Sequence, residues 1–347
     1  MTMPIDRRQT ILGLGALGIV AMQPRDAKAD LAALEGAARK EATLTWYVAQ
    51  LDAERAEQFA REFTKDYPGI TVSVIRTTGQ VAFQRLLMDI KNHTPQCDVF
   101  SATDISHMPI LKEKHELASF TPENASALLP PFARLSDPGH YYITTASRYF
   151  MIYNTKQVPA AEAPKSWTDL LDPKWKGRVA FGHPAFSGCT GTVVATLRKT
   201  YGWEYFEKLA KNKPRIGRSA VDPVTLITAG ECLVGPASAA TAYTSLDKGN
   251  PLGVVHPADG LVVCIAPSAI PANAPHPNAA RLFVEWMLSE RYSRLMAADG
   301  SEPLRAGVPV RPDEPLLSTQ KILSLTVDEI RKDVPEVIEQ WRDTFGI

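Results

Sequence analysis

The residues in this sequence best suited to chemistry are small and polar. Ser187-Gly188-Cys189-Thr190 opens an apolar, helix-like run that extends to Leu197. Small residues at a helix start leave backbone N–H groups free to meet an anion, and the helix dipole adds to the attraction. Three further polar clusters follow strand-like runs: Gln50 with Asp52, Thr78 to Gln80, and Thr103 with Asp104. The same residue types also cap helices and form turns. Covalent chemistry has one foothold, because Cys189 sits where a helix N-terminus favours a thiolate, with His183 as the only base nearby in the sequence. Phe186-Ser187-Gly188 does not make the G-x-S-x-G elbow of serine hydrolases. The seven histidines lack HxxxH or HxH spacing and the four cysteines lack CxxC, so neither a metal centre nor a cofactor is expected.

These clusters lie in a chain of 347 residues with 38 basic and 38 acidic side chains, a balance that disfavours a nucleic-acid partner. The N-terminus reads as a cleavable leader over residues 1–29: Arg7-Arg8, an apolar run over 11–22, and Ala27-Lys28-Ala29. Twelve apolar residues make a helix of about 18 Å, too short for a hydrocarbon core of about 30 Å. The Arg pair fits either the twin-arginine or the Sec route of export. In an oxidising compartment Cys97, Cys189, Cys232 and Cys264 allow three pairings; Cys232 and Cys264 lie in strand-like runs that pairing could bring together, or stay buried as free thiols.

The elements that position the clusters alternate. The spacing predicts a strand at 44–48, a helix with Ala56, Phe59, Ala60 and Phe63 on one face, a strand at 70–75, a helix over 83–90 and a strand at 98–100. Another strand is expected at 148–153, then a second α/β unit from Trp167 with strands near 178–181, 232–235 and 253–256. A strand at 261–266 returns before an amphipathic helix carrying Leu282, Phe283, Trp286 and Met287, started by Pro277. Alternating strands and helices imply a mostly parallel sheet, with ligands bound beyond the strands' carboxyl ends.

Ser166-Trp167-Thr168-Asp169-Leu170-Leu171-Asp172-Pro173-Lys174-Trp175-Lys176-Gly177 resembles the SWxDLLDPKWKG signature of extracellular solute-binding proteins of family 1, in the group that includes periplasmic ferric-iron binders. Ala229-Gly230-Glu231, Pro257-Ala258-Asp259-Gly260 and the stretch at 276–283 agree with it in order. The resemblance implies a type II periplasmic-binding-protein fold, two α/β lobes joined by a two-strand hinge. Residues 30–147 and 262–347 would form lobe I and residues 148–261 lobe II. It further implies a monomer that captures a small-molecule solute between its lobes, without catalysis, and delivers it to an inner-membrane ABC permease or presents it to a membrane receptor.

The resemblance places Ser187, Gly188 and Cys189 in the loop that holds an anion in the iron-binding relatives. Their adjacent tyrosine pair is missing: the corresponding region offers only Tyr243, after Ser238. A carboxylate, phosphate or phosphonate fits a cleft of Thr78, Thr103, Ser187, Thr190 and Ser238 hydroxyls, the Gln80 amide, Tyr47, Tyr149 and the cation Arg148, with Asp259 placed to take an amine. Ferric iron held by Tyr47, Tyr149 and Tyr243 is the alternative, and a Cys189-dependent enzyme on the same fold is a third reading.

Overall fold

The computed structural model describes residues 27–347 apart from residue 313. The expected leader lies outside the described residues except for its last three positions. Helix α1 (Ala27–Glu41) precedes β1 (Thr43–Val48), α2 (Ala53–Asp66), β2 (Thr71–Arg76), α3 (Gly79–Lys91) and β3 (Val99–Ser101). Asp52 starts α2 by accepting the Arg55 N–H at 2.8 Å. The predicted face of α2 is the one buried: Phe63 meets Phe283 edge-to-face with centroids 4.9 Å apart, and Phe59 lies 5.3 Å from Tyr292. Each such aromatic contributes about 1.5–3 kcal/mol through burial.

After α4 (His107–Glu113) and α5 (Pro130–Ala133) the chain enters β4 (Tyr141–Asn154), a strand of 14 residues and more than twice the expected length. The middle segment follows: β5 (Ala180–Gly182), α6 (Gly188–Tyr201), α7 (Glu204–Lys211), β6 (Arg215–Gly217), α8 (Asp222–Thr228), β7 (Val234–Ser238), α9 (Ala239–Asp247) and β8 (Leu252–Val255). The return comprises β9 (Leu261–Ala269), α10 (Pro277–Met287), α11 (Glu290–Ala298), β10 (Ile322–Leu323) and α12 (Val327–Phe345).

Pairing explains the length of β4. Strands β2, β1 and β3 are parallel neighbours, β3 pairs antiparallel with the end of β9, and β9 pairs antiparallel with β4 from Tyr141 to Tyr149. The far end of β4 pairs with β7 and β8. Two long strands thus cross between an α/β group built from the N-terminal elements and one built from the middle segment, while β5 and β6 form a separate parallel pair.

Helices α10 and α11 pack on the N-terminal elements, with the Phe283 ring 5.1 Å from Trp46 and the Tyr292 ring 5.3 Å from Phe59. Helix α12 instead packs on α6 and α7 of the middle segment, with the Trp341 ring 5.3 Å from Phe181 and 5.6 Å from Phe206. Arg198 of α6 and Asp333 of α12 add an ion pair at 3.0 Å. The cysteines are all free: Cys264 neighbours Cys189 rather than Cys232.

Candidate functional site

A cavity of about 70 Å³ lies where the crossing strands meet the starts of three helices. Residues 49–52 bring the start of α2, Ser187 and Cys189 that of α6, and Ser238, Ala240 and Thr241 that of α9. First-turn N–H groups have no acceptor within their own helix, so three such starts give the wall a positive potential. Ser187 Oγ accepts from Thr190 N at 3.3 Å and Ser238 Oγ from Thr241 N at 3.4 Å, which orients both turns. The floor is β4 and β9. Alternation along β4 sends Thr145, Ser147 and Tyr149 to the cavity, and their register partners Ala266 and Cys264 line it from β9.

The two groups of elements touch beside this cavity. Gly188 N donates to Thr103 Oγ1 at 3.2 Å. A Cβ at Gly188 would stand 2.5 Å from the Asp104 Cβ and the Thr103 carbonyl, and one at Gly79 would stand 2.4 Å from Thr103 Oγ1. Both positions require glycine for close approach.

Among the described residues, Arg76 is the one cation lining the cavity and Asp52 the one carboxylate. Arg76, at the end of β2, donates Nε to the Leu51 carbonyl at 3.0 Å and has no carboxylate at ion-pair distance among the described residues. Asp52 is engaged in capping α2. Gln50 Nε2 and Ser301 Oγ are buried without a hydrogen-bond partner. The buried hydroxyls of Tyr149 and Thr145 also lack a bond of normal geometry, although Thr190 and Tyr292 stand beside them. Burial pushes the Tyr149 phenol well above its ordinary range, reinforced by the Cys189 and Cys264 sulfurs, so it meets a guest as a neutral hydroxyl.

Of the residues singled out in the sequence, Thr103, Tyr149, Ser187, Cys189 and Ser238 line this cavity. Gly188 and Thr190 flank it, one bonded to Thr103 and the other beside Tyr149. Thr78 starts α3 without a side-chain cap, and Gln80 is engaged with His107 at 3.2 Å and Asp104 at 3.4 Å. Four residues lie elsewhere. The Tyr47 hydroxyl donates to Asp89 at 2.7 Å and accepts from Arg85 at 3.0 Å. Arg148 is 1% exposed and paired with Glu302 and Glu314, so it is not the cleft cation. Tyr243 stands beside Glu314 and carries Arg311 over its ring at 4.5 Å. Asp259 takes the Trp167 N–H at 3.0 Å and the Tyr201 hydroxyl at 2.5 Å, which holds a turn instead of an amine.

Arg76, Thr145 and Ser301 belong to no motif and were missed in the sequence; the one signal for Arg76 is its position at a strand's carboxyl end. A larger cavity, about 660 Å³, lies among β9, β10, α5 and α12, with Ile105, Phe132, Ile265, Leu323 and Ile330 among its mainly apolar lining. No unpartnered buried polar atom of the described residues lines it, and it shares only Thr103 and Ile265 with the smaller cavity.

Residues 95–333 match the family described as bacterial extracellular solute-binding protein. The chain belongs to that family. The narrower family 1 label suggested by the signature is not what the match supports, whereas the solute-binding class is. Among curated relatives, the "Putative 2-aminoethylphosphonate-binding periplasmic protein" of Salmonella typhimurium strain LT2 is 28% identical over 282 residues, 78% of this chain and 75% of that protein. Iron-bound HitA from Pseudomonas aeruginosa superposes with a TM-score of 0.74 at 23% identity, covering 87% of this chain and 99% of that one. AfuA from Actinobacillus pleuropneumoniae, with exogenous fructose-6-phosphate bound, gives 0.76 at 21% identity over 88% and 99%. The fold is that of a type II periplasmic binding protein. As a family member the chain is the solute-binding component of an ABC import system.

Proposed function

We propose that this solute-binding protein works in the periplasm and that its solute is a small organic anion bearing a phosphonate, phosphate or carboxylate group. The observation that carries the reading is the cavity's inventory: Arg76, a cation without an ion pair among the described residues, beside Gln50 Nε2 and Ser301 Oγ, unpartnered among the same residues, at the starts of three helices. Each buried donor left unmade costs about 1–3 kcal/mol, so an acceptor supplied by a guest recovers what folding leaves unsatisfied. A volume of about 70 Å³ suits a solute of few heavy atoms, since one water needs about 10–15 Å³ on the same measure. The 2-aminoethylphosphonate for which the Salmonella relative is named agrees in size and charge.

Ferric iron is the weaker reading. Of Tyr47, Tyr149 and Tyr243 only Tyr149 lines the cavity, and burial holds its phenol protonated. Catalysis by Cys189 lacks a base, because His183 Nδ1 accepts the Ala185 N–H at 3.0 Å and Nε2 meets the Ile347 carbonyl at 3.4 Å. In the transport cycle the N-terminal group with α10 and α11 forms one lobe, and the middle segment with α12 the other. The solute gains contacts from both, so binding shifts the population to the closed form that the permease engages. The protein acts as a monomer, exported by its leader.

Thermal unfolding of the mature chain with 2-aminoethylphosphonate, phosphonoacetate, fructose 6-phosphate or ferric citrate tests this. A small phosphonate at a hundredfold excess over Kd adds about 2.7 kcal/mol, and Arg76→Ala abolishes that gain without lowering the Tm of the free protein. Stabilisation by ferric iron with a visible tyrosinate band, and by no organic anion, contradicts it.

A further inference from the structure

Two thiols meet on the wall of the cavity. Cys264 lies in the crossing stretch of β9, opposite Ser147 of β4, and Cys189 in the first turn of α6. Cys264 Sγ donates to the Cys189 carbonyl at 3.4 Å, which sets the two thiols side by side. Both line the cavity, Cys264 buried and Cys189 half-buried and therefore the sulfur open to a reagent. Cys97 and Cys232 are buried away from it.

We infer that Cys189 and Cys264 form a reversible disulfide that fastens the start of α6 to the crossing strand and weakens solute binding. The oxidant is a disulfide, either an oxidised dithiol protein or glutathione disulfide. The Cys189 thiolate attacks one sulfur of the oxidant; its S–S bond breaks, a mixed disulfide forms and the first thiolate departs. Cys264 then attacks the Cys189 sulfur, breaking the mixed disulfide and releasing the second. Both cysteine protons pass to the departing thiolates, so the oxidant gains two electrons and leaves as two thiols. Access sets the order: burial keeps the Cys264 thiol protonated until the mixed disulfide stands beside it.

The bond draws two sulfurs from non-bonded contact to about 2.05 Å. Ser187 and the first-turn N–H groups of α6 move with Cys189, on the wall of the cavity that Tyr149 also lines. The effect on binding rests on the anion reading of the cavity; formation of the bond does not.

The experiment uses the mature chain with glutathione disulfide, then a reductant. Of four thiols, two are expected to disappear, to be recovered as one Cys189–Cys264 linked peptide and to return on reduction. Cys189→Ser and Cys264→Ser each abolish the linkage, whereas Cys232→Ser retains it. Four thiols persisting in the folded chain, or a linkage through Cys97 or Cys232, overturns the proposal. Calorimetric titration with 2-aminoethylphosphonate should show affinity about tenfold lower in the oxidised form, the scale of a usual coupling between sites. Equal affinity in both forms overturns the switch. A probe bound by neither form counts against the anion reading, and the thiol count then decides the disulfide by itself.

Discussion

At the residue scale, the two arginines separate by strand geometry. Successive side chains of a strand face opposite sides, so Arg148 and Tyr149 cannot both face the cavity, and Tyr149 does. Arg148 turns to Glu302 and Glu314, more than 150 positions away in sequence, a pairing that no local pattern announces. Burial raises the Glu302 carboxyl above its ordinary value even with Arg148 beside it, a sign of how dry this face is. Removing one partner from such a cluster strands buried charge. Arg148→Met should therefore cost about 3–5 kcal/mol in urea unfolding; a loss below 1 kcal/mol would show the cluster to be hydrated. The site was legible where a side chain acts through its own backbone position, as at Ser187 and Ser238. It was illegible where partners come from afar, as for Tyr47, Tyr243 and Asp259.

At the element scale, helix starts carry the site and glycines let them meet. Gly188 has no room for a Cβ against the Thr103 carbonyl and Asp104. Gly188→Ala should hold the two groups apart, weakening the solute's binding by about ten- to a hundredfold, since overpacking costs about 1–3 kcal/mol. Calorimetric titration gives the size of the change, and unaltered affinity would mean that this approach is not needed for closure. The helices α2 and α10 were readable because their apolar positions follow a helical period. Helix α12 shows the same period in Ile330, Val334, Val337 and Trp341, yet Pro335 interrupts it. The proline sits on the exposed face, where water satisfies the freed carbonyl. That α12 joins the middle segment follows from tertiary packing on α6 and α7, which periodicity cannot express.

At the scale of the whole molecule, closure and stability respond to charge. Glu54 of α2 pairs with Lys248 after α9 at 2.8 Å, and Glu113 of α4 with Arg331 of α12 at 2.8 Å, so each links one group of elements to the other. Both pairs are exposed and screened by salt, so they bias closure weakly. Stability should depend on pH through the histidines. Burial holds His107, His183 and His256 below the ordinary 6.5, keeping them neutral in the folded chain. The unfolded chain takes up those protons first as pH falls. The stability they contribute is thus complete above 6.5 and is lost as pH falls toward their depressed folded values. A Tm that declines from pH 7.5 to 5 and declines less in His256→Gln is the expected profile; identical slopes would remove His256 from the account.

The claim on which the rest depends is that the small polar cavity, and not the larger apolar one, receives the solute. A crystal structure of the mature chain with the solute that stabilises it tests this directly. The expected result places the anion's oxygens within about 3 Å of the Arg76 guanidinium and the first turn of α6, with Gln50 Nε2 and Ser301 Oγ newly bonded. Density for the solute among β10, α5 and α12, with Arg76 and Gln50 untouched, would contradict it.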